Sequence, residues 1–263
     1  MNFPRVTVII PNHNDENYIV GAIKSAASQS YVGPLQICVI DDASEDNSWS
    51  IICSMIEQDS STSVEKSGDL EIRRGFYKGK TLTAVKRPEA GGPSAARNTG
   101  INLTLDQTEI YAMLDSDDEF YKNKVSKCVS LMAEDFYNIG VVYGDYDTVN
   151  VKTNKVIREF KEPFSRIRLI EECIVHSGSV VNKIALEKVA EDTGYYDETM
   201  RTCEDYDLWM RISEYFIIAH IPESLTLVRI TGDNSSFIVN QEVWQKNWTR
   251  VREKFYQRNH DFQ

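Results

Sequence analysis

Residues 110–118 read IYAMLDSDD, five largely apolar residues followed directly by an acidic turn. An apolar run of this length is typical of a strand buried on both faces of a sheet. Two earlier runs have the same form: Val6–Ile10 (VTVII) ends at Pro-Asn, and Gln36–Ile40 (QICVI) ends at two aspartates. A fourth run, Thr81–Val85, precedes a Gly-Gly-Pro turn. The first half of the chain therefore predicts four strands that end in polar or flexible turns.

Helical patterns lie between these strands. Tyr18–Ser28 has apolar residues at helical spacing, a second helix passes through Trp49, and a third begins at Ser94. Strand–helix alternation predicts an α/β fold with a mainly parallel, Rossmann-like central sheet and helices on both faces. Residues 59–80 interrupt the alternation, and we expect an exposed excursion there with one short strand at Leu70–Ile72.

The second half changes character and predicts a smaller, mixed sheet. Its predicted strands are Ile139–Asn150, Lys155–Phe160, Ile217–His220 and Leu225–Ile230. Its predicted helices are Arg166–Glu172, Ile184–Glu191, Glu204–Ile212 and Gln241–Tyr256. No internal repeat or linker separates the two halves, so we predict one continuous domain over residues 1–263.

Composition limits the classes of function. The chain has 263 residues, and its 40 acidic side chains against 29 basic ones give a net charge of −11. This charge argues against binding nucleic acid or an anionic membrane over the whole surface. No apolar run approaches the roughly 18 residues of a membrane helix, and Met1–Arg5 does not resemble the start of a signal peptide. The five cysteines form no CxxC pair, so we expect reduced thiols and a cytoplasmic protein.

The predicted strand ends gather five aspartates at one edge of the sheet, where parallel α/β sheets bind their ligands. Clustered carboxylates repel one another unless a cation or bound hydroxyls compensate them. Asp115 and Asp117 are two positions apart, so an extended chain points both to one side, one toward a nucleotide sugar and the other toward a metal on its phosphates. Such oxygen ligands suit Mg²⁺ or Mn²⁺. The alternative is that each aspartate only caps the next helix.

Five segments, in this order, resemble the family 2 glycosyltransferases of the GT-A fold. The segments are VTVIIPNHNDENYI, VIDDASEDNS, GGPSAARNTGI, AMLDSDDEF and CEDYDLWMR. The resemblance implies an inverting enzyme that moves a sugar from a nucleotide-diphosphate donor, often UDP-linked, to a saccharide or lipid-linked saccharide acceptor. It also implies a nucleotide-sugar-binding half at 1–118, an acceptor-binding half at 119–240 and a C-terminal helix at 241–263.

The resemblance assigns the donor site residue by residue. The loop after the first strand lines the nucleotide pocket, and the Asp-Asp pair after the second strand holds the uracil or ribose, with Asp42 favoured. The residues implied around the nucleotide and its phosphates are Pro11, Asn12, Glu16, Asp41, Asp42, Arg97 and Asp115.

The same resemblance assigns the metal and the base. Asp117 matches the metal ligand, with Asp118 as a close alternative, so Mn²⁺ or Mg²⁺ is the implied cofactor. Asp205 matches the general base, although it could also be only a first-turn acid favoured by the helix dipole. The residues expected near the donor sugar or the acceptor are Asn98, His176 and Glu204.

Two further expectations concern the C-terminal part. Many family members carry Arg-x-His after the last strand, whereas this chain has Thr231 at the histidine position. We expect Asp233 or water to complete the coordination, or the metal to bind more weakly. The basic and aromatic helix that follows is expected to dock on the core, with peripheral contact at the inner face of a membrane as the alternative.

Two other function classes compete with this interpretation. A nucleotidyltransferase can use a similar sheet and an acidic metal site, but it usually has a Gly-rich, basic loop where this chain has residues 12–16 (NHNDE). The non-enzymatic alternative is an inactive GT-A-like sugar-binding protein. Retention of both Asp117 and Asp205 argues against it, because a protein without turnover needs no general base.

Overall fold

The computed structural model describes residues 3–57, 62–232 and 240–260. Its strands are β1 (Val6–Asn12), β2 (Leu35–Asp41), β3 (Ser63–Ser67), β4 (Leu70–Tyr77), β5 (Lys80–Lys86), β6 (Ile110–Met113), β7 (Glu119–Phe120), β8 (Ile139–Asn150), β9 (Val156–Glu159), β10 (Val180–Asn182) and β11 (Ile217–Ile230). Its helices are α1 (Ile19–Ala27), α2 (Ser48–Ser54), α3 (Gly92–Thr104), α4 (Lys124–Met132), α5 (Arg166–Glu171), α6 (Lys183–Thr193), α7 (Glu204–Ser213) and α8 (Gln241–Arg258).

The described strands form one mixed sheet in the order β3-β4-β5-β2-β1-β6-β10-β8-β11-β7, with β9 paired to β8. The four strands β5, β2, β1 and β6 are parallel to one another, so their carboxyl ends share one edge. Strand β10 then runs antiparallel to both of its neighbours. The predicted α/β fold is therefore confirmed, and the strands of the second half continue the main sheet instead of forming a separate, smaller one.

Alternating side chains of β1 divide the interior into two apolar layers. Val8 and Ile10 pack in the layer that contains Ile23 of α1. Ile9 points to the opposite face, into the layer that contains Trp209 of α7. All four of these aliphatic side chains and the tryptophan are fully buried, so helices cover both faces of the sheet.

The segment over 59–80 differs from the prediction. Within its described part, β3 and β4 form an antiparallel hairpin that extends the sheet beyond β5. The predicted strand at Leu70–Ile72 is the beginning of β4, but the hairpin is longer. Its pattern is hard to recognise because every residue of β3 is exposed and only Ile72 and Gly75 of β4 are buried. Residues 59–61 lie outside the described part of the chain.

The last described strand along the chain, β11, is continuous where the sequence predicts two strands. β11 has 14 residues and runs parallel to β8. A proline inside an apolar run usually marks the end of a strand, which is why the sequence predicts a break near Pro222. The structure accommodates this proline at an irregularity, since the register shifts between Ile221 and Ser224.

The C-terminal helix docks on the core, as predicted. Val251 and Phe255 of α8 are fully buried in the layer that contains α7. Lys254 reinforces the docking through an ion pair of 2.6 Å with Asp207, a fully buried residue of α7. In the ranges described, no helix has both the length and the apolar composition to cross a membrane.

Candidate active site

The carboxyl ends of β1 and β2 are tied together by side chains. Asn12 donates hydrogen bonds from Nδ2 to Asp41 Oδ1 at 3.0 Å and to Ser44 Oγ at 3.1 Å. In the loop after β1, Glu16 accepts hydrogen bonds from the backbone N–H and the side-chain amide of Asn47. Pro11 is buried beside this loop. We call the region at the carboxyl ends of β1, β2 and β6, together with the start of α7, the cleft, and these residues fix the shape of one side of it.

Asp42 holds the start of α3. Its carboxylate accepts hydrogen bonds from the backbone N–H groups of Gly91 and Gly92 and from the guanidinium of Arg87. Gly92 has φ +84°, a backbone conformation that glycine adopts without strain. Asp42, the aspartate favoured for holding the uracil or ribose, thus also positions the helix that carries Arg97.

Arg97 joins two motifs that are far apart in the sequence. Its Nη2 donates to Asp115 Oδ1 at 2.6 Å and its Nη1 donates to Glu204 Oε1 at 2.7 Å. The guanidinium also lies 5.3 Å from the ring centroid of Tyr196, and the arginine is only 3% exposed. A buried, charge-assisted bridge of this kind holds the acidic turn after β6 against the start of α7.

The first aspartate of the acidic turn is kept ionised by its neighbours. Asp115 accepts a second hydrogen bond, at 3.1 Å, from Ser177 Oγ. Burial alone would raise the pKa of Asp115, but the charge and hydrogen bond of Arg97, together with the hydrogen bond of Ser177, place that pKa below its usual value. Asp115 is therefore a fixed negative charge in the cleft.

Asp117 and Asp118 follow in the same turn and are anchored to β11. Arg229 donates from its backbone N–H to Asp118 Oδ1 at 2.9 Å and from Nη1 to the carbonyl oxygen of Asp117 at 2.8 Å. Burial, together with the negative charges of Asp117 and Asp115, raises the pKa of Asp118 well above its usual value. The acidic turn thus places three carboxyl groups close together, and their mutual repulsion favours a bound cation or proton.

This concentration of carboxyl groups fits a divalent cation. In the part of the chain that the structure describes, no group of three or more Asp, Glu, His or Cys side chains is arranged to hold a metal ion. Mg²⁺, however, is usually bound by one or two carboxylates together with substrate phosphates. The adjacent aspartates Asp117 and Asp118 match that requirement. Asp233, the expected additional ligand, lies outside the described residues.

The start of α7 brings a second acidic pair to the cleft. Cys203 has φ +62° and ψ +18°, a left-handed conformation that is strained for a residue with a side chain. This turn directs Glu204 to Arg97 and leaves Asp205 half-buried beside them. Burial, and next the charge of Glu204, raises the pKa of Asp205 to about 7. A carboxyl group with this pKa can accept a proton near neutral pH.

His176 lines the cleft as a neutral side chain. Its Nδ1 accepts a hydrogen bond of 3.0 Å from the backbone N–H of Gly178, and its ring stacks on Tyr146 with a centroid separation of 4.5 Å. Burial and the nearby Lys124 lower the pKa of His176 to about 3. Because Nδ1 accepts, the ring proton is carried by Nε2, which makes Nε2–H a donor.

Lys124 is a buried cation that the sequence interpretation missed. Its Nζ donates to Thr226 Oγ1 at 2.6 Å and to the carbonyl oxygen of Gly178, and it lies 4.2 Å from the ring centroid of Phe120. Burial lowers the pKa of Lys124 to about 8, although Asp118 and Asp115 oppose this shift. The lysine ties the segment after His176 to β11.

Comparison with known proteins identifies the family. The sequence-family model described as "Glycosyl transferase family 2" matches residues 7–194, well over half of the chain. The chain belongs to glycosyl transferase family 2. This result confirms the family that the resemblance of the five sequence segments implies.

A curated relative of this family 2 chain occurs in Rickettsia felis, where it is named an uncharacterized glycosyltransferase. The two are 29% identical over 237 residues, which cover 89% of this chain and 34% of the relative. The chain thus spans about a third of the length of this relative.

Two solved structures show the same fold. S. aureus TarS 1-349, in complex with UDP, has a TM-score of 0.67 at 17% identity, covering 95% of this chain and 65% of the TarS chain. The mannosyltransferase PcManGT from Pyrobaculum calidifontis, in complex with GDP-Man and Mn²⁺, has a TM-score of 0.60 at 18% identity. That match covers 89% of this chain and 59% of PcManGT.

The family 2 chain brings four of the predicted site residues together at the start of α7. Arg97 connects Asp115 with Glu204, and Asp205 follows directly in the chain. Asn98 differs, because its side chain donates to the carbonyl oxygen of Tyr196 and accepts from the N–H of the same residue, at 2.9 Å each. The geometry of Asn98 is that of a residue that positions the segment after α6.

Proposed function

We propose that this family 2 chain is an inverting glycosyltransferase that uses a nucleotide-diphosphate sugar, with UDP favoured as the nucleotide. The observation that carries the proposal is the Arg97 bridge, which holds Asp115 of the acidic turn beside the Glu204-Asp205 pair. A donor-binding carboxylate and a proton acceptor then face one cleft. The UDP named for TarS and the GDP-Man named for PcManGT support a nucleotide-linked donor.

The donor is proposed to occupy the edge formed by the carboxyl ends of β1, β2 and β6. Ligands of parallel α/β sheets bind at such edges. The base and ribose would meet the segments after β1 and β2, and the diphosphate would lie near Asp115 and Arg97. The proposed nucleotide-contacting residues are Pro11, Asn12, Glu16, Asp41, Asp42, Arg97 and Asp115.

A divalent ion, Mn²⁺ or Mg²⁺, is proposed to bind through Asp117 and Asp118. The raised pKa of Asp118, caused by burial and next by the charges of Asp117 and Asp115, supports a cation at this position. The Mn²⁺ named in the PcManGT complex supports the choice of metal. When bound, such an ion neutralises negative charge that develops on the departing diphosphate.

Asp205 is proposed as the general base. The acceptor hydroxyl oxygen attacks the anomeric carbon, its proton passes to a carboxylate oxygen of Asp205, and the bond from the anomeric carbon to the diphosphate oxygen breaks. A single displacement of this kind inverts the anomeric centre. Glu204, held by Arg97, raises the basicity of Asp205, and His176 Nε2–H is proposed to donate to a hydroxyl of the donor sugar or the acceptor.

The rate of transfer is expected to rise with pH up to about 7 and then level off. Only the ionised carboxylate of Asp205 accepts a proton, and the pKa of this residue is raised to about 7. Below that pH, each unit should lower kcat/KM about tenfold, because the ionised fraction falls tenfold. Initial rates across the pH range check this expectation. A rate that falls as pH rises through 7 would contradict it.

The function is tested by a screen of nucleotide sugars. The protein is incubated with UDP-linked and GDP-linked sugars in the presence of Mn²⁺, and release of the nucleoside diphosphate is measured with and without added saccharide acceptors. Release of UDP or GDP supports glycosyl transfer. Release of pyrophosphate from a nucleoside triphosphate and a sugar phosphate would instead identify a nucleotidyltransferase.

A further inference from the structure

The turn between β8 and β9, with the segment that leaves β9, forms a basic surface on an acidic protein. We call residues 150–161 the basic hairpin. This hairpin has four basic residues and one acidic one, and one of the four, Arg158, is paired with Asp145, whereas the whole chain has a net charge of −11. At physiological ionic strength the Debye length is ~8 Å, so a surface in contact with the hairpin is affected mainly by the local positive charge.

The basic hairpin also exposes large apolar side chains. Val156 is 56% exposed, Ile157 45% and Phe160 75%. Strand β9 pairs with β8 in the described part of the chain, so its other edge faces outward. Exposed aliphatic and aromatic side chains interleaved with Lys152 and Lys155 are the combination that favours the interface of a bilayer.

The basic hairpin is connected to the acceptor side of the cleft by a continuous series of contacts. Lys161 Nζ lies 5.6 Å from the ring centroid of Tyr146, and Tyr146 stacks on His176. Arg158 of β9 donates from Nη2 to Asp145 Oδ2 of β8 at 3.2 Å. Its guanidinium also lies 4.9 Å from the ring centroid of Phe160. A surface that receives the hairpin would therefore lie next to the cleft.

We propose that the basic hairpin docks on an anionic lipid bilayer and so presents the cleft to the membrane surface. Charge complementarity selects an anionic partner, and the three exposed apolar side chains select a lipid surface over a soluble anionic polymer. The proposal rests on the proposed function only in one respect, namely that the docked cleft would receive a lipid-linked acceptor. Docking itself requires no donor and no turnover.

Vesicle co-sedimentation without any nucleotide tests the docking. The chain is expected to sediment with mixed phosphatidylcholine–phosphatidylglycerol vesicles and not with phosphatidylcholine alone. Each basic residue near an anionic surface contributes roughly fivefold to partitioning, so Lys152→Glu/Lys155→Glu should bind more than about tenfold more weakly. Ile157→Ser/Phe160→Ser should give a loss of about tenfold.

Tyr215→Ser provides a matched control. Tyr215 is 59% exposed and precedes Ile217, which pairs with Ile139 at the opposite end of β8 from the hairpin. This variant should sediment like the unmodified chain, and circular dichroism should show unchanged folding for all variants. Absence of vesicle binding, or equal binding by the hairpin variants, would overturn the proposal. Retention on a heparin column without vesicle binding would also overturn it, because the partner would then be an anionic polymer.

Discussion

Asp205→Asn is expected to lower transfer by about 10²–10⁴-fold, the usual contribution of a general base, while binding of UDP stays unchanged. Asparagine keeps the size of the side chain and can still accept the hydrogen bond of 2.7 Å from the backbone N–H of Tyr206. It cannot accept the proton of the acceptor hydroxyl. Nucleotide release from the donor found in the screen measures the rate, and calorimetry measures donor binding.

The stability of Asp205→Asn separates loss of chemistry from loss of structure. Because the folded-state pKa of Asp205 is raised, the folded protein holds the proton more tightly than the unfolded chain does. The associated stability is present at low pH and is lost as pH rises through about 7. At pH 8 the asparagine variant should therefore melt at the same temperature or higher. Asp106→Asn, at an exposed site, is the control, and a near-normal rate for Asp205→Asn would remove Asp205 from the base role.

Arg97→Met is expected to lower the free energy of unfolding by about 3–5 kcal/mol, as when one partner of a buried ion pair is removed. The substitution leaves Asp115 and Glu204 without their shared cation, and the side chain of Glu204 is only 11% exposed. Urea unfolding at neutral pH measures the loss. Arg97→Lys keeps the charge but cannot bridge both carboxylates with a planar fork, so an intermediate loss is expected.

Two comparisons make the Arg97 prediction specific. Arg5 forms an exposed pair with Glu109, so Arg5→Met should cost less than about 1 kcal/mol. In the double variant Arg97→Met/Glu204→Gln the loss should be smaller than in Arg97→Met, because one unpaired carboxylate is gone. Equal losses for Arg97→Met and Arg5→Met would show that the bridge does not hold the two motifs together.

The strands that build the cleft could be predicted because their sequences carry strong local signals. Val6–Ile10 and Gln36–Ile40 are apolar runs that end in polar turns, and such runs suit the buried, parallel part of a sheet. The β3–β4 hairpin lacked this signal, since its outer strand is exposed throughout. The continuity of β11 was also hidden, because Pro222 breaks the apolar pattern while the folded sheet absorbs it at a register shift.

The site residues could be predicted singly but not as a network. Asp115, Arg97 and Glu204 each belong to a recognisable motif, yet their bridge exists only because the fold brings β6, α3 and α7 together. Lys124 had no signal, since a lysine at the start of an amphipathic helix is usually exposed. Its burial follows from Phe120 and the strand β11, which no local pattern relates to it.

Calorimetric titration with UDP, with and without Mn²⁺, tests the central claim most directly. The acidic turn should bind UDP when Mn²⁺ is present and much more weakly when it is absent. Asp117→Ala should remove most of the effect of the metal, whereas Asp106→Ala should not; an unchanged metal effect in Asp117→Ala would move the ligand to Asp118. If neither UDP nor GDP binds in the presence of Mn²⁺, the cleft is not a nucleotide-sugar site.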